Sequence, residues 1–211
     1  MYSGLKELKM LRDRTHFSIK VKEGRLFIID QTLLPAREVW LDVTNPDDLC
    51  SAIRNLSVRG APLIGVAAAL SLATFVSNRN VNNTTRPLSV QDFLRVHDAL
   101  VSTRPTAVNL HNAMNRMSDC VSSVRLAEKT IAADNLLSQE EIEKLVETAE
   151  TIVEEDVELC RKIANHGANF IKSGDNVITH CNTGSLATAG VGTALGAIIT
   201  AFKEQGKAIH V

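Results

Sequence analysis

Hydrophobic and polar positions follow two different periods along this chain, and the changes of period predict its elements. Residues 17–30, FSIKVKEGRLFIID, alternate apolar and charged side chains on either side of Glu23-Gly24. Such alternation around a glycine dipeptide predicts a β-hairpin that turns there. From residue 45 onwards the apolar positions recur with the helical period. A small hairpin sheet is therefore expected to precede a mainly helical region.

Capping residues give the predicted helices their starting points. Asn45 or Asp47 can cap the first helix, Pro62 lies in the first turn of the second, and Ser138 with Glu141 forms a capping box for the longest. The predicted helices cover residues 45–56, 62–76, 90–102, a stretch beginning near 107, and 138 to about 174, while the polar segment 78–87, NRNVNNTTRP, is predicted to be a loop.

The pattern changes once more after residue 175. Residues 176–180 are predicted to form a short strand, residues 184–204 a helix, and residues 207–211 the beginning of another strand, which gives a β-α-β unit. Parallel sheets of this kind normally have more strands, covered on both faces. We therefore predict an α/β chain with a helical N-terminal domain that carries a small antiparallel β-hairpin sheet, residues 1–136. A linking helix and an incomplete Rossmann-like parallel β-α-β domain follow, residues 137–211.

Composition indicates a globular protein with a small-molecule partner. The chain has 211 residues, of which 45% are hydrophobic and 22% charged, and its formal net charge is −1. A balance so near neutrality gives no support for binding to nucleic acid or to an acidic membrane. The uncharged runs 60–78 and 176–202 approach the length of a membrane span, but they are rich in small residues and lack aromatic belts. Buried helices explain them better than a membrane does.

The cysteines indicate a reducing compartment. Cys50, Cys120, Cys160 and Cys181 are widely spread and form no CxxC pair, which argues against a disulfide framework and against a structural zinc site. The amino terminus is charged within a few residues and lacks the apolar segment of a signal peptide. A cytoplasmic location is expected, with the nucleus as a second compartment.

Cys181 is the first candidate for chemistry, because it lies where the predicted strand meets the predicted helix. Unpaired amides and the dipole at a helix N-terminus stabilise a thiolate and bind anions. Asn182, Thr183 and Gly184 can offer donors to an anion, or they can simply cap the helix. The alternative for Cys181 is a buried, inert cysteine. A direct pair with His180 requires that the strand has already ended, since neighbours on a strand point to opposite faces.

Two arginines precede proline-containing helix starts. Arg59 in VRGAPLIG can hold a phosphate through its guanidinium, and Gly60 permits a close backbone approach. Arg104 in TRPTAVNL occupies an equivalent position before another predicted helix. The two could share one anion, although a surface arginine before a capped helix is the alternative for each.

Further polar residues have plainer interpretations. Asp30 and Gln31 follow the second hairpin strand and either turn towards a ligand or form the turn that ends the strand. The acidic side chains of the longest predicted helix are expected to form a solvated face; they are Glu140, Glu141, Glu143, Glu147, Glu150 and Glu154–Asp156.

Four motifs occur in a characteristic order: IDQTLLP, VRGAPLIG, RPTAVNL and THCNTGSLATAGVGTALGA. Together they resemble the methylthioribose-1-phosphate isomerases, which are aldose-ketose isomerases of methionine salvage. The wider family includes ribose-1,5-bisphosphate isomerases and the regulatory subunits of translation initiation factor 2B. The Cys-Asn-Thr-Gly sequence favours the isomerases, because the translation-factor subunits generally lack that cysteine. A ribose-1,5-bisphosphate isomerase and a non-catalytic regulatory subunit stay open as alternatives.

The resemblance implies roles for individual residues. Arg59, Gly60, Ala61 and Arg104 would bind a phosphosugar, and Cys181 would be the catalytic residue beside the reacting carbons. Asn182, Thr183 and Gly184 are predicted to contact the same substrate. The family implies a homodimer and no metal or organic cofactor. It also implies a catalytic aspartate, a substrate-binding glutamine and an Asn-Lys pair in a portion that this chain lacks, so the chain would correspond to the N-terminal portion of such an enzyme.

Overall fold

The computed structural model describes residues 10–81, 88–128 and 135–211, and these contain four strands and six helices. The chain is therefore α/β, as predicted. The strands are β1 (Arg14–Thr15), β2 (Ile19–Lys22), β3 (Arg25–Ile29) and β4 (Trp40–Asp42). The helices are α1 (Pro46–Arg54), α2 (Ala61–Val81), α3 (Val90–Val101), α4 (Val108–Glu128), α5 (Gln139–Ala168) and α6 (Ala194–Lys203).

The strands form one antiparallel sheet in the order β1-β2-β3-β4. The predicted hairpin is confirmed: Glu23 and Gly24 have φ values of 50° and 70°, the left-handed conformations that suit a two-residue turn between twisted strands. Ile19 pairs with Ile28, and both are fully buried on the face that packs against the helices. Strands β1 and β4 have two and three residues, too few for alternation to predict them.

Local capping residues start three of the helices. The Asn45 side chain accepts a hydrogen bond from the first turn of α1. The predicted capping box of Ser138 and Glu141 opens α5, and Ser89 with Asp92 forms a second capping box that opens α3. Caps depend on neighbours in sequence, so these helix starts could be predicted within a residue.

Two helix ends differ from the sequence prediction. Helix α2 continues to Val81, so residues 78–81 are helical rather than part of a loop. The rest of the predicted loop, residues 82–87, lies outside the described residues. Helix α5 ends at Ala168 instead of near Gly174, and tight turns carry the chain onwards.

Helix α2 lies at the centre of the main core and packs against β3, α1, α3, α4 and α5. By length and composition it could cross a membrane, yet 78% of its most apolar stretch is buried inside the protein. A β-carbon on Gly65 would lie 2.7 Å from the carbonyl oxygen of Asn109. The first turns of α2 and α4 are therefore in direct contact, which brings together the two segments that carry Arg59 and Arg104.

The C-terminal segments pair less extensively than predicted. Asn176 and His210 form a single parallel bridge, supported by a 2.8 Å bond from the Val177 amide to the His210 carbonyl oxygen. The strands expected over 176–180 and 207–211 are wrong in extent, because the backbone hydrogen bonds between the two segments join residues 174–177 to residues 208–210. Ile178, in the middle of the first predicted strand, is 95% exposed. Helix α6 packs on the second half of α5, where Gly167 meets Ala197.

Candidate functional site

Residues 184–193 form a loop, which we call the docking loop, and not the first turns of a helix. The helix predicted over 184–204 is wrong for these ten residues, since α6 begins at Ala194. Gly184 and Gly192 pair across the base of the loop, and the Thr193 amide donates to the Thr183 carbonyl oxygen at 2.8 Å. Gly192 has φ 96° and lies so close to Thr183 that a β-carbon there would be 2.5 Å from the same oxygen.

The tip of the docking loop is fixed by groups from four other parts of the chain. Ser18 Oγ donates to the carbonyl oxygens of Ser185 and Thr188 at 3.0 and 3.5 Å. Gln31 Nε2 donates to the Leu186 carbonyl oxygen at 2.7 Å, and the Leu63 amide donates to the Ala187 carbonyl oxygen at 3.1 Å. The Ala189 amide donates to Asp156 Oδ2 at 2.7 Å. Buried backbone groups need partners, and here tertiary partners replace helical ones. These tertiary hydrogen bonds explain why the segment is not helical, although its sequence pattern predicts a helix.

Gly60 lies directly against the docking loop. Its φ is 105°, and a β-carbon at this position would lie 2.4 Å from Cα of Ala187. The close backbone approach inferred from the sequence therefore exists, and the group that approaches is the docking loop of the protein itself. The segment Arg59-Gly60-Ala61 and the segment that follows Cys181 are thus neighbours in space.

The arginines lie at helix entrances that adjoin one another. Arg59 is exposed and precedes α2, and the half-buried Arg104 precedes α4. Within the described residues neither guanidinium takes part in a salt bridge. A cleft of about 190 Å³ lies between the beginnings of α2 and α4 and the middle of α5, lined in part by Pro62, Asn109 and Asp156. It is smaller than the ~300–1,000 Å³ of most small-molecule sites.

Cys181 is exposed at a tight turn. Its φ of 65° is in the left-handed region, which is uncommon for residues other than glycine and occurs often at functional sites. The hydroxyls of Thr179 and Thr183 hydrogen-bond across this turn at 3.2 Å. The Cys181 sulfur lies 3.3 Å from Nδ1 of His180. The thiol-imidazole pair, expected only if the strand had already ended, is present because strand pairing ends before the cysteine.

The placement of Cys181 at a helix start is wrong, and the thiol is exposed. The docking loop separates it from α6, and the amide in the first turn of that helix, Leu195, donates to Thr183 Oγ1 at 3.1 Å. All four cysteines lie in the described residues, and the other three are buried. Cys181 is therefore not buried, and its catalytic role stays a prediction.

Comparison with known proteins places this architecture in a family. Residues 57–211 match the Initiation factor 2 subunit family. The chain belongs to this family. It is 42% identical over 196 residues to a methylthioribose-1-phosphate isomerase of Geobacter metallireducens, covering 92% of this chain and 53% of that protein. It is 40% identical over 190 residues to the enzyme of that name from Yersinia enterocolitica, covering 90% of this chain and 48% of that protein.

Two solved structures share the fold. 5-Methylthioribose 1-phosphate isomerase from Pyrococcus horikoshii is 30% identical with a TM-score of 0.74, over 93% of this chain and 51% of that one. The delta subunit of translation initiation factor eIF-2B from A. fulgidus is 38% identical with a TM-score of 0.70, over 92% and 53%. The chain spans about half the length of the curated relatives it matches. The resemblance inferred from the four motifs is confirmed.

The contacts that Gln31 and Asp156 make with the docking loop were not predicted from the sequence. Asp30 forms the predicted strand-ending turn, its carboxylate accepting from the Thr32 amide and hydroxyl at 3.0 and 2.7 Å. Gln31 instead turns inward to Leu186. Asp156 accepts from the Ala189 amide. Gln31 could have been identified from its place in the IDQTLLP motif, whereas nothing in the sequence distinguished Asp156 from the other acidic residues of its helix.

The acidic residues of α5 do not all form a solvated face. Glu141 and Glu150 are buried, the first in the capping box and the second between Arg12 and Arg14. Burial raises the pKa of Asp156, and the bonds it accepts from loop amides offset part of that increase. Among the described residues, no group of three or more His, Cys, Asp or Glu side chains is placed to hold a metal ion. The substrate contacts of the seven predicted binding residues stay predictions.

Proposed function

We propose that the protein to which this chain belongs is a methylthioribose-1-phosphate isomerase of methionine salvage, which converts 5-methylthioribose 1-phosphate into 5-methylthioribulose 1-phosphate. The observation that carries the proposal is the exposed Cys181, held at a left-handed turn beside His180 and close in the chain to the docking loop. The names of relatives about 40% identical to it support the same activity.

The chemistry requires a thiol and an anion-binding site together. The substrate carries its phosphate on the anomeric carbon, so ring opening must accompany hydrogen transfer. The bond between C1 and the ring oxygen breaks and that oxygen gains a proton, a hydrogen moves from C2 to C1, and the C2 hydroxyl loses its proton to become the ketone. Cys181 takes part in this transfer from one side of the sugar. The resemblance assigns the second acid-base group to a part of such enzymes that this chain does not span.

The phosphate would be held by the arginines. Arg59 and Arg104 precede helices whose first turns touch, and a guanidinium fork suits a phosphate that must be fixed in orientation. Gly60 and Ala61 complete that side of the proposed site. On the other side, Asn182, Thr183 and Gly184 follow the cysteine and would contact the sugar. A substrate held from both sides leaves the reacting carbons beside the thiol.

The larger assembly is part of the same proposal. The parallel bridge between Asn176 and His210 and the position of α6 support an incomplete Rossmann-like unit over residues 137–211, after an N-terminal domain over residues 1–136. We also propose a homodimer in the cytoplasm, with the nucleus as a second location, and a phosphosugar as partner rather than nucleic acid or membrane.

Turnover of 5-methylthioribose 1-phosphate tests the proposal. We expect the full-length protein to form 5-methylthioribulose 1-phosphate, the full-length Cys181→Ser variant to lose nearly all of this activity, and the 211-residue chain alone to be inactive or nearly so. Ribose 1,5-bisphosphate, assayed in parallel, separates the two sugar-phosphate isomerases. Equal rates for the short and full-length proteins would contradict the proposed division of the catalytic groups.

A non-catalytic regulatory role is the second candidate, favoured by the likeness to the A. fulgidus delta subunit. Such a subunit has no use for the thiol. A full-length protein that turns over neither sugar, and whose cellular role survives Cys181→Ser, would establish this alternative.

A further inference from the structure

Gln31 links the two segments that carry the proposed functional residues. Its backbone amide donates to the Ser57 carbonyl oxygen at 2.9 Å, two residues before Arg59. Its side-chain Nε2 donates to the Leu186 carbonyl oxygen at 2.7 Å, five residues after Cys181. One residue at the end of the sheet therefore holds both the entrance of α2 and the docking loop.

The side chain of Gln31 is polar at a buried position where an apolar side chain would stabilise the fold at least as well. Gln31 is 2% exposed, and within the described residues its Oε1 is buried without a hydrogen-bond partner. A buried amide with one unpaired oxygen is unfavourable compared with an apolar side chain of the same shape. The useful part of the side chain is thus Nε2, which donates to the docking loop.

Hydrogen bonds and short chain segments connect Gln31 to Cys181. Leu186 lies at the tip of the docking loop, and the base of this loop is held by Thr183. The Thr183 hydroxyl contacts that of Thr179 on the other side of the turn that contains the cysteine. Release of the Leu186 carbonyl would loosen the loop and, through its base, the turn that keeps the thiol beside His180.

We infer that Gln31 is a positioning residue for the proposed isomerisation: its side-chain amide fixes the docking loop and thereby the turn that presents Cys181. The inference rests on the proposed function for its kinetic consequence. The expected effect of Gln31 on the reactivity of the Cys181 thiol does not depend on which substrate the protein uses.

The test is Gln31→Met in the full-length protein, which keeps the volume of the side chain and removes the donor. The matched control is Gln205→Met, because Gln205 is an exposed glutamine whose amide bonds Asn169 outside the site. We expect kcat to fall at least tenfold for Gln31→Met with KM changed less than threefold, since the phosphate contacts stay in place. The unfolding midpoint should change little, because the gain from removing the unpaired Oε1 offsets the lost hydrogen bond to Leu186. Gln205→Met should match the wild type.

Alkylation of Cys181 by iodoacetamide, followed by mass spectrometry, gives a readout independent of turnover. We expect its rate to fall at least threefold at pH 7 in Gln31→Met, because the imidazole that can share the thiol proton is less well held. Unchanged kcat together with unchanged alkylation would overturn the inference. So would failure of Gln31→Met to fold, because the fold would then need the amide.

A second variant, Gln31→Glu, tests the donor itself. A protonated carboxyl can donate to the Leu186 carbonyl oxygen and a carboxylate cannot, so the ratio of variant to wild-type rate should rise as pH is lowered from 8 to 6. A ratio independent of pH would count against the hydrogen bond. If the wild-type protein turns over no sugar phosphate, the proposed function fails, and the alkylation rates alone still decide the role of Gln31.

Discussion

Gly60 and Ala187 are in backbone contact across the junction between the entrance of α2 and the docking loop. A β-carbon on Gly60 would lie 2.4 Å from Cα and 2.6 Å from the carbonyl oxygen of Ala187. The same carbonyl oxygen accepts from the Leu63 amide in the first turn of α2. Residues 127 positions apart in sequence thus determine together how the arginine segment faces the cysteine segment.

Substitution Gly60→Ala should therefore destabilise the protein by at least about 2 kcal/mol, from strain at positive φ and from overlap with Ala187. The matched control is Gly174→Ala. Gly174 also has a positive φ, 90°, but a β-carbon there meets nothing within 4 Å. Gly174→Ala should lower the free energy of unfolding only by the backbone strain at positive φ, about 1 kcal/mol. Urea unfolding of both variants measures the difference, and equal losses would show that the contact with Ala187 adds nothing.

Thiol labelling should separate Cys181 from the other cysteines. Burial raises the pKa of the Cys50, Cys120 and Cys160 thiols, and only a thiolate reacts readily. At pH 7.5 the native chain should take up one equivalent of iodoacetamide, at Cys181, and the unfolded chain four. Mass spectrometry of peptides from both samples checks this. Rapid native labelling of Cys160, which lies beneath Gly190 of the docking loop, would show that the loop opens readily.

The buried carboxylate of Glu150 should make stability depend on pH. Burial acts to raise its pKa, but the hydrogen bonds and charge of Arg12 and the charge of Arg14 outweigh burial, so the pKa lies below the usual 4.5. A depressed pKa contributes stability above about pH 4.5, and this contribution is lost as pH falls through the folded-state value.

At pH 7, Glu150→Gln should therefore lower the free energy of unfolding by about 1–3 kcal/mol, because it leaves the partners of a buried charge incompletely satisfied. The difference from the wild type should shrink as pH is lowered from 5 to 3. Glu154→Gln is the control: this carboxylate contacts the same Arg12 but is 59% exposed, and exposed pairs contribute about 0–1 kcal/mol. A Glu150→Gln deficit that stays constant between pH 5 and 3 would contradict the assignment.

The features that could be predicted from the sequence are those determined by near neighbours. The Glu23-Gly24 turn and the Ser138 capping box involve residues at most three apart, and both are present. The sequence predicts a helix for the docking loop because small apolar residues fit one. The hydrogen-bond partners of its backbone groups, however, come from distant residues such as Ser18 and Gln31. No local pattern carries that information.

The candidate site likewise combines features that near neighbours in sequence determine with features that distant residues determine. The motifs identified Cys181 and the arginines, and the structure brings their segments together through contacts of Gly60 and Gly65 with other backbones. The left-handed turn at Cys181, which permits the contact with His180, depends on where strand pairing stops. The apolar pattern continues through Ile178, beyond the pairing of Asn176 and Val177, so the sequence could name the pair without deciding whether it forms.

The last prediction concerns whether Arg59 and Arg104 act on one phosphate. In the full-length protein, Arg59→Ala and Arg104→Ala should each lower kcat/KM for 5-methylthioribose 1-phosphate by about 10- to 100-fold, the size expected for a charge-assisted hydrogen bond. Arg161→Ala is the control, since Arg161 pairs with Glu158 on the exposed surface of α5 and should leave kcat/KM unchanged.

The double variant decides between one anion and two. If both guanidinium groups hold the same phosphate, removal of the first leaves the phosphate less well fixed, and the second removal costs less than it does alone. We therefore expect the double variant to lose clearly less than the product of the two single losses. Strictly multiplicative losses would mean that the two helix entrances bind the substrate independently, and the shared phosphate site between α2 and α4 would have to be abandoned.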